Sequence, residues 1–200
     1  MVDQLHNPFK RKITVSGTAL SAGPFPPDML QKAYALGAAI ARAGAITVTG
    51  ATTGAPQWAA KGAKEAGGFV LGLSPALNIR HHVHTYKLPT DYHDIIIYTG
   101  AGYAARDLLV TRAGDAMISI AGRMGSLNEF TCAFQDKRPQ GVLLQTGGIA
   151  DEIKALLDKT NPGYSTVIFE TDPEILVSKV MEMLAKEDEQ LAIPPAQYDI

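Results

Sequence analysis

The chain predicts a single-domain, Rossmann-like three-layer α/β/α fold with a mainly parallel sheet, on three observations. Short apolar runs alternate with amphipathic stretches over residues 13–184, the βαβ pattern that covers a parallel sheet on both faces. The runs are nearly continuous in apolar character, as in strands buried on both sides. Four of them end in turns bearing glycine or hydroxyl groups: Ser16-Gly17, residues 50–54, residues 99–102 and residues 122–126. In such sheets ligands sit beyond the C-terminal strand ends, where these turns gather.

The elements follow in order. Residues 1–11 read as a loose arm, and Ile13, Thr14 and Val15 as the first strand. Pro24, Pro26 and Pro27 exclude regular structure just before a helix start at Pro27-Asp28. Met29, Ala33, Leu36 and Ile40 form that helix's apolar face, and Gly44 suits its stop. Residues 46–49 predict the second strand, residues 56–66 a helix stopped by Gly67-Gly68, and residues 69–73 the third strand. Residues 74–93 read as a long, irregular polar loop, a length usually functional or mobile. Residues 94–98 form a strongly apolar fourth strand, and residues 103–113 a helix carrying Arg106, Leu109 and Val110.

The run 116–120, bounded by Asp115 and Ala121-Gly122, predicts the strand around which the chain is organised. After it, Leu127, Phe130, Ala133 and Phe134 recur at helical spacing, and Ser126 and Glu129 stand as in a capping box. Residues 142–144 and 167–169 are the last strands. Between them lies a helix with Ile149, Ile153, Leu156 and Leu157 on one side. A final helix starts at Pro173 and buries Leu176, Val180 and Leu184. The domain therefore spans residues 12–186, and the charged, proline-bearing residues 187–200 read as a tail.

Composition bounds the function. With 200 residues the chain fits one domain with a full core, and 46% apolar residues is an ordinary soluble composition. A net charge of −2 gives no general reason to bind nucleic acid. The N-terminus lacks a run long enough for a signal peptide. Residues 33–48, interrupted by Arg42 and two glycines, fall short of a membrane span. Cys132 is the sole cysteine, which excludes an intrachain disulfide and fits a reducing cytoplasm; within its helix it reads as a small buried residue.

A glycine turn between strand and helix brings bare backbone N–H groups and a positive dipole end to one point, where phosphate binds. Glu129 lies one turn into that helix, facing whatever the loop holds. The bland alternative is a turn that binds nothing, with Ser126 and Glu129 serving only as a cap. Several such turns at one sheet edge favour a phosphate-bearing ligand, with Ser16, Gly17, Gly50, Thr53, Gly100, Gly122, Arg123, Gly125 and Ser126 as its candidate contacts. Named motifs are missing: Gly-x-Gly-x-x-Gly after the first strand, the P-loop, and the Gly-x-Ser-x-Gly elbow. His81, His82 and His84 stand without a Cys or Glu at ligand spacing, so no metal site is expected.

At Arg106 and at Ala121-Gly122-Arg123-Met124-Gly125-Ser126-Leu127-Asn128-Glu129 the chain resembles the Lonely Guy (LOG)/SLOG superfamily. That group includes nucleoside 5′-monophosphate phosphoribohydrolases and molybdenum cofactor carrier proteins. The family pattern is an Arg on one helix, then Pro-Gly-Gly-x-Gly-Thr-x-x-Glu opening the next. Thr49-Gly50 match its Thr-Gly-Gly turn, and the Gly72–Ala76 and Tyr98–Gly100 segments look closer to the cofactor-carrier branch. The chain departs from the pattern at Ala121 for Pro, Arg123 for Gly and Ser126 for Thr. Asp107 stands where the hydrolases carry a basic or amide residue. Arg123 either adds a phosphate contact or closes part of the pocket.

The resemblance implies that Gly122, Gly125, Ser126, Gly50 and Thr53 surround a phosphate, with Arg106 and Glu129 as a catalytic pair. A carboxylate stabilises the oxocarbenium-like state of N-ribosidic cleavage and helps water attack, while a guanidinium orients it or grips phosphate. The same two residues serve equally as a salt bridge joining two helices. The implied functions are hydrolysis of a nucleoside 5′-monophosphate to base and ribose 5-phosphate, or binding of a nucleotide or molybdopterin without turnover. No further cofactor is required. The resemblance also implies a homodimer or homotetramer built through helices beside the site.

Overall fold

The computed structural model describes residues 10–19 and 25–191, with side chains through residue 187. The arm expected over residues 1–11 therefore lies mostly outside the described residues, as does most of the tail. Seven strands form one all-parallel sheet in the order β4-β3-β2-β1-β5-β6-β7. They are β1 (Lys12–Gly17), β2 (Ile46–Thr49), β3 (Val70–Ser74), β4 (Ile95–Tyr98), β5 (Ala116–Ile120), β6 (Gln140–Leu143) and β7 (Val167–Glu170). The helices are α1 (Met29–Arg42), α2 (Ala55–Glu65), α3 (Gly102–Ala113), α4 (Met124–Gln135), α5 (Ile153–Thr160) and α6 (Pro173–Leu191). The last helix runs past the residue-186 boundary expected for the domain.

Both faces of the sheet are covered, and each cover packs on apolar side chains of the central strands. Ile13, Val15, Ile118 and Ile120 pack with Leu36, Ile40, Leu176 and Val180 of α1 and α6. Met117 and Val142 pack on the other face with Phe130, Ile153 and Leu157 of α4 and α5. At about 25 cal/mol per Å² of apolar surface removed from water, these two layers supply the main drive to fold. Among the described residues no helix is long and apolar enough to cross a membrane.

Strand order reverses between β1 and β5. The chain walks outward from β1 through β2 and β3 to β4, returns to pair β5 with β1, and walks out the other way. A crevice opens at the carboxyl ends of the two strands flanking such a reversal. Register places Ser16 beside Ser119 and Gly17 beside Ile120. The polar face of β1 is turned to the α3–α4 layer, where the Thr14 hydroxyl donates to the Val110 carbonyl at 2.9 Å.

Two local expectations are corrected. Residues 74–93 are not structureless: a π-helical turn occupies His81–Thr85 and buries His82 completely. Ser74 Oγ and Pro89 O bracket the His82 ring at 2.8 and 2.9 Å, so the ring pins the loop to the end of β3. Cys132 is half-buried rather than buried, and burial followed by nearby Asp136 raises its thiol pKa.

Candidate functional site

The turn after β5 is built by borrowed hydrogen bonds. Ala121 N–H donates to Thr146 Oγ1 at 2.8 Å, and the Ala121 and Gly122 carbonyls accept from Ala150 and Ile149. Ala121 stands at φ +52°. A proline, the residue of the family pattern, could neither reach that φ nor donate that bond. Gly122 sits at φ +86°, where any Cβ would overlap Ser126. A side chain at Gly122 would thus strain the backbone and push α4 away.

Arg123 then caps α4 in an extended conformation, and its carbonyl accepts the first helical bond from Leu127 N–H. Ser126 is therefore the third residue of α4, not its cap, and the expected capping box does not form. Among the described residues no side chain caps this helix. Its first amides, those of Gly125 and Ser126 included, have no acceptor within the helix, and its dipole adds positive potential there.

Glu129 instead points across to β1. Ser16 Oγ donates to Glu129 Oε2, and Arg106 Nη1 donates to Glu129 Oε1 at 3.3 Å. All three groups are buried: Arg106 is 5% exposed and Glu129 7%. Arg106 Nη2 lies 3.8 Å from Asp107 Oδ1, and Asn128 Nδ2 donates to Asp107 Oδ2 at 3.2 Å. Arg106 Nε is buried without a partner among the described residues. Burial pushes the Glu129 carboxyl up to about 7; Arg106 and the Ser16 hydroxyl pull it down, while Asp107 pushes it further up.

These groups floor a cavity of about 260 Å³ at the β1/β5 reversal, which also takes in Thr18, Thr52, Tyr103 and Arg123. The structure brings together Gly17, Arg106, Arg123, Gly125, Ser126 and Glu129 as lining residues. Ser16 acts from beneath through Glu129. Gly50 lies behind Arg106, where a Cβ would overlap the guanidinium, so its missing side chain makes room for that cation. Gly122 packs against Ser126 rather than lining the cavity. Thr53 and Gly100 are not among the lining residues; Gly100 follows the edge strand β4 and faces Leu77.

Sequence reasoning missed Thr18, Ala19, Thr52 and Tyr103, and singled out Asp107 only as a departure from the hydrolase pattern. Tyr103 was within reach, since it precedes Arg106 by one helical turn, and the Arg106 Cζ stands 5.9 Å from its ring centroid. Thr52 rather than Thr53 lines the cavity, and Ala51 before it turns at φ +51°, a conformation without a sequence signature at alanine. Among the described residues no group of three His, Cys, Asp or Glu side chains is placed to hold a metal ion.

An uncharacterized protein of Archaeoglobus fulgidus is 31% identical over 117 residues, which cover 58% of this chain and 72% of that one. The molybdenum cofactor binding protein of Rippkaea orientalis superposes with a TM-score of 0.71 at 28% identity, over 88% of this chain and 98% of that one. The molybdenum cofactor carrier protein of Chlamydomonas reinhardtii gives 0.70 at 29% identity, over 88% and 99%. Residues 10–177 match the model of the SLOG cluster4 family, which takes in every element from β1 into α6. A match of that extent, on a parallel sheet with its cavity at the strand reversal, makes this chain a member of the SLOG cluster4 family.

Proposed function

We propose that the protein binds a phosphorylated nucleotide or nucleotide-like ligand in the β1/β5 cavity, and that Arg106 and Glu129 act on its N-ribosidic bond. The observation that carries this reading is the buried Arg106–Glu129–Ser16 constellation beside the uncapped start of α4. A simple interhelical salt bridge has no need of a cavity on its flank, nor of a carboxyl titrating near neutrality. Such a carboxyl accepts a proton from water or returns one to a leaving base at the same pH. Its ionised form stabilises positive charge developing on the ribose, and Arg106 holds it in place.

The resemblance to two molybdenum cofactor proteins favours a second reading, a carrier that holds molybdopterin cofactor as cargo without turnover. The two readings separate in one experiment. The protein is incubated with a panel of nucleoside 5′-monophosphates and free base is followed by chromatography. Base release that vanishes in Glu129→Ala supports the enzyme. Tight binding of pterin cofactor without release supports the carrier, and binding of neither class sinks both.

The homo-oligomer also stands as a proposal. Tyr103, Leu108 and Leu109 of α3 and Ile95 and Ile97 of β4 are exposed apolar side chains, a feature of surfaces that associate. A second copy of the chain is the expected cover. Light scattering after size exclusion should give at least a dimer, and Leu109→Asp should shift it toward monomer.

A further inference from the structure

We infer that Arg123, not Arg106, is the side chain that grips the ligand's phosphate; this rests on the phosphorylated-ligand reading above. Charge accounting inside the cavity leads there. The guanidinium of Arg106 is already committed, with one nitrogen on Glu129 and another 3.8 Å from Asp107. With both carboxyls ionised this buried trio carries a net negative charge, and with Glu129 protonated it is neutral. Neither state attracts a phosphate dianion.

Two positive features remain on the cavity wall among the described residues. One is the start of α4, equivalent to about half a charge. The other is Arg123, an exposed residue whose guanidinium has no hydrogen bond or ion pair among the described residues. It stands at the cap of α4, two and three residues before Gly125 and Ser126, which line the same cavity. A guanidinium there meets phosphate oxygens in a forked, charge-assisted pair while the helix amides hold another oxygen. At this position the family pattern has glycine, so the chain adds a cation where bare backbone is the rule. Labour is thereby divided: Arg123 and α4 hold the phosphate, while Arg106 positions Glu129 toward the sugar.

The test titrates the full-length protein with AMP, adenosine and inorganic phosphate by calorimetry, in wild type, Arg123→Ala and Arg123→Lys. Arg123→Ala is expected to weaken AMP about 10- to 100-fold, the worth of a charged hydrogen-bond pair, and to leave adenosine within about twofold. Arg123→Lys should recover part of the loss, because the charge returns without the fork. Wild-type affinity for AMP in Arg123→Ala overturns the inference and leaves the site assignment standing. Wild type that binds neither AMP nor inorganic phosphate overturns the phosphate site itself, and this inference with it.

Discussion

The carboxyl edge of the sheet carries polar side chains at both its centre and its outer end, and the two regions treat them differently. At the outer end, by β3 and β4, the buried ring and the strand-end hydroxyls are paired. His82 lies between Ser74 and Pro89, Thr99 Oγ1 donates to the Ser74 carbonyl, and His93 is held by Thr49 and Asp91. At the centre, by β1 and β5, Glu129 is raised toward neutrality, and among the described residues Arg106 keeps a buried nitrogen without a partner and the first amides of α4 lack a side-chain cap. Three histidines thus make the outer loop look like chemistry, yet the one buried among them is structural. Buried polar groups left short of partners are costly, so the unpartnered Arg106 nitrogen beside the β1/β5 cavity supports the proposed ligand site.

This contrast can be broken at several places. The largest effect is expected from Glu129→Ala, which should lower base release by about 10²- to 10⁴-fold, the usual worth of a general acid or base. Chromatography on purified protein with its best nucleoside monophosphate measures it. Retained release would return Arg106–Glu129 to the role of a helix-joining salt bridge.

Next comes the pH dependence of stability. A carboxyl that titrates near 4.5 when unfolded and about 7 when folded binds its proton more tightly in the native state. Its stabilising contribution is full below the unfolded value and is lost as pH rises through the folded one, by about 3 kcal/mol in all. Urea unfolding at pH 5 and pH 8 should therefore show wild type losing stability across this window and Glu129→Gln losing less. Parallel curves would mean that Glu129 is already ionised at pH 5.

The outer region should answer in the opposite way. His82→Ala removes a fully buried ring and leaves Ser74 and Pro89 without it, at a cost of about 2 kcal/mol. Its melting temperature should fall while AMP affinity per folded molecule stays within twofold. A large loss of affinity with unchanged melting would move His82 into the site. The smallest effect, about tenfold in base release, is expected from Gly50→Ala, whose methyl would displace the Arg106 guanidinium. Melting should change little, and normal turnover would show that Arg106 tolerates another pose.

Much of the fold was legible beforehand because parallel strands buried on both faces leave an unmistakable mark. Residues 46–49 and 116–120 were read with the bounds that β2 and β5 have. Met29, Ala33, Leu36 and Ile40 are all buried, as their spacing required. Less was legible where neighbours in space overrule local preference. Ser126 has the chemistry of a cap, but the turn at Ala121 and Gly122 is anchored by Thr146, Ile149 and Ala150 and starts α4 earlier. The edge strand β4 reads as strongly apolar, yet Ile95 and Ile97 are about half exposed, since an edge is defined by strand order.

The pairing of Arg106 with Glu129 was legible only through the family resemblance, whereas amino-acid order by itself specified the layered α/β architecture and the glycine turn before α4. These follow from periodicity and residue chemistry, which act within a few residues along the chain. It took the packed molecule to put Ser16 against Glu129, to bring Asp107 beside the same guanidinium and to retire Gly100 to the outer edge. Those outcomes depend on which strands become neighbours, and strand order is settled by long-range burial that no local pattern encodes.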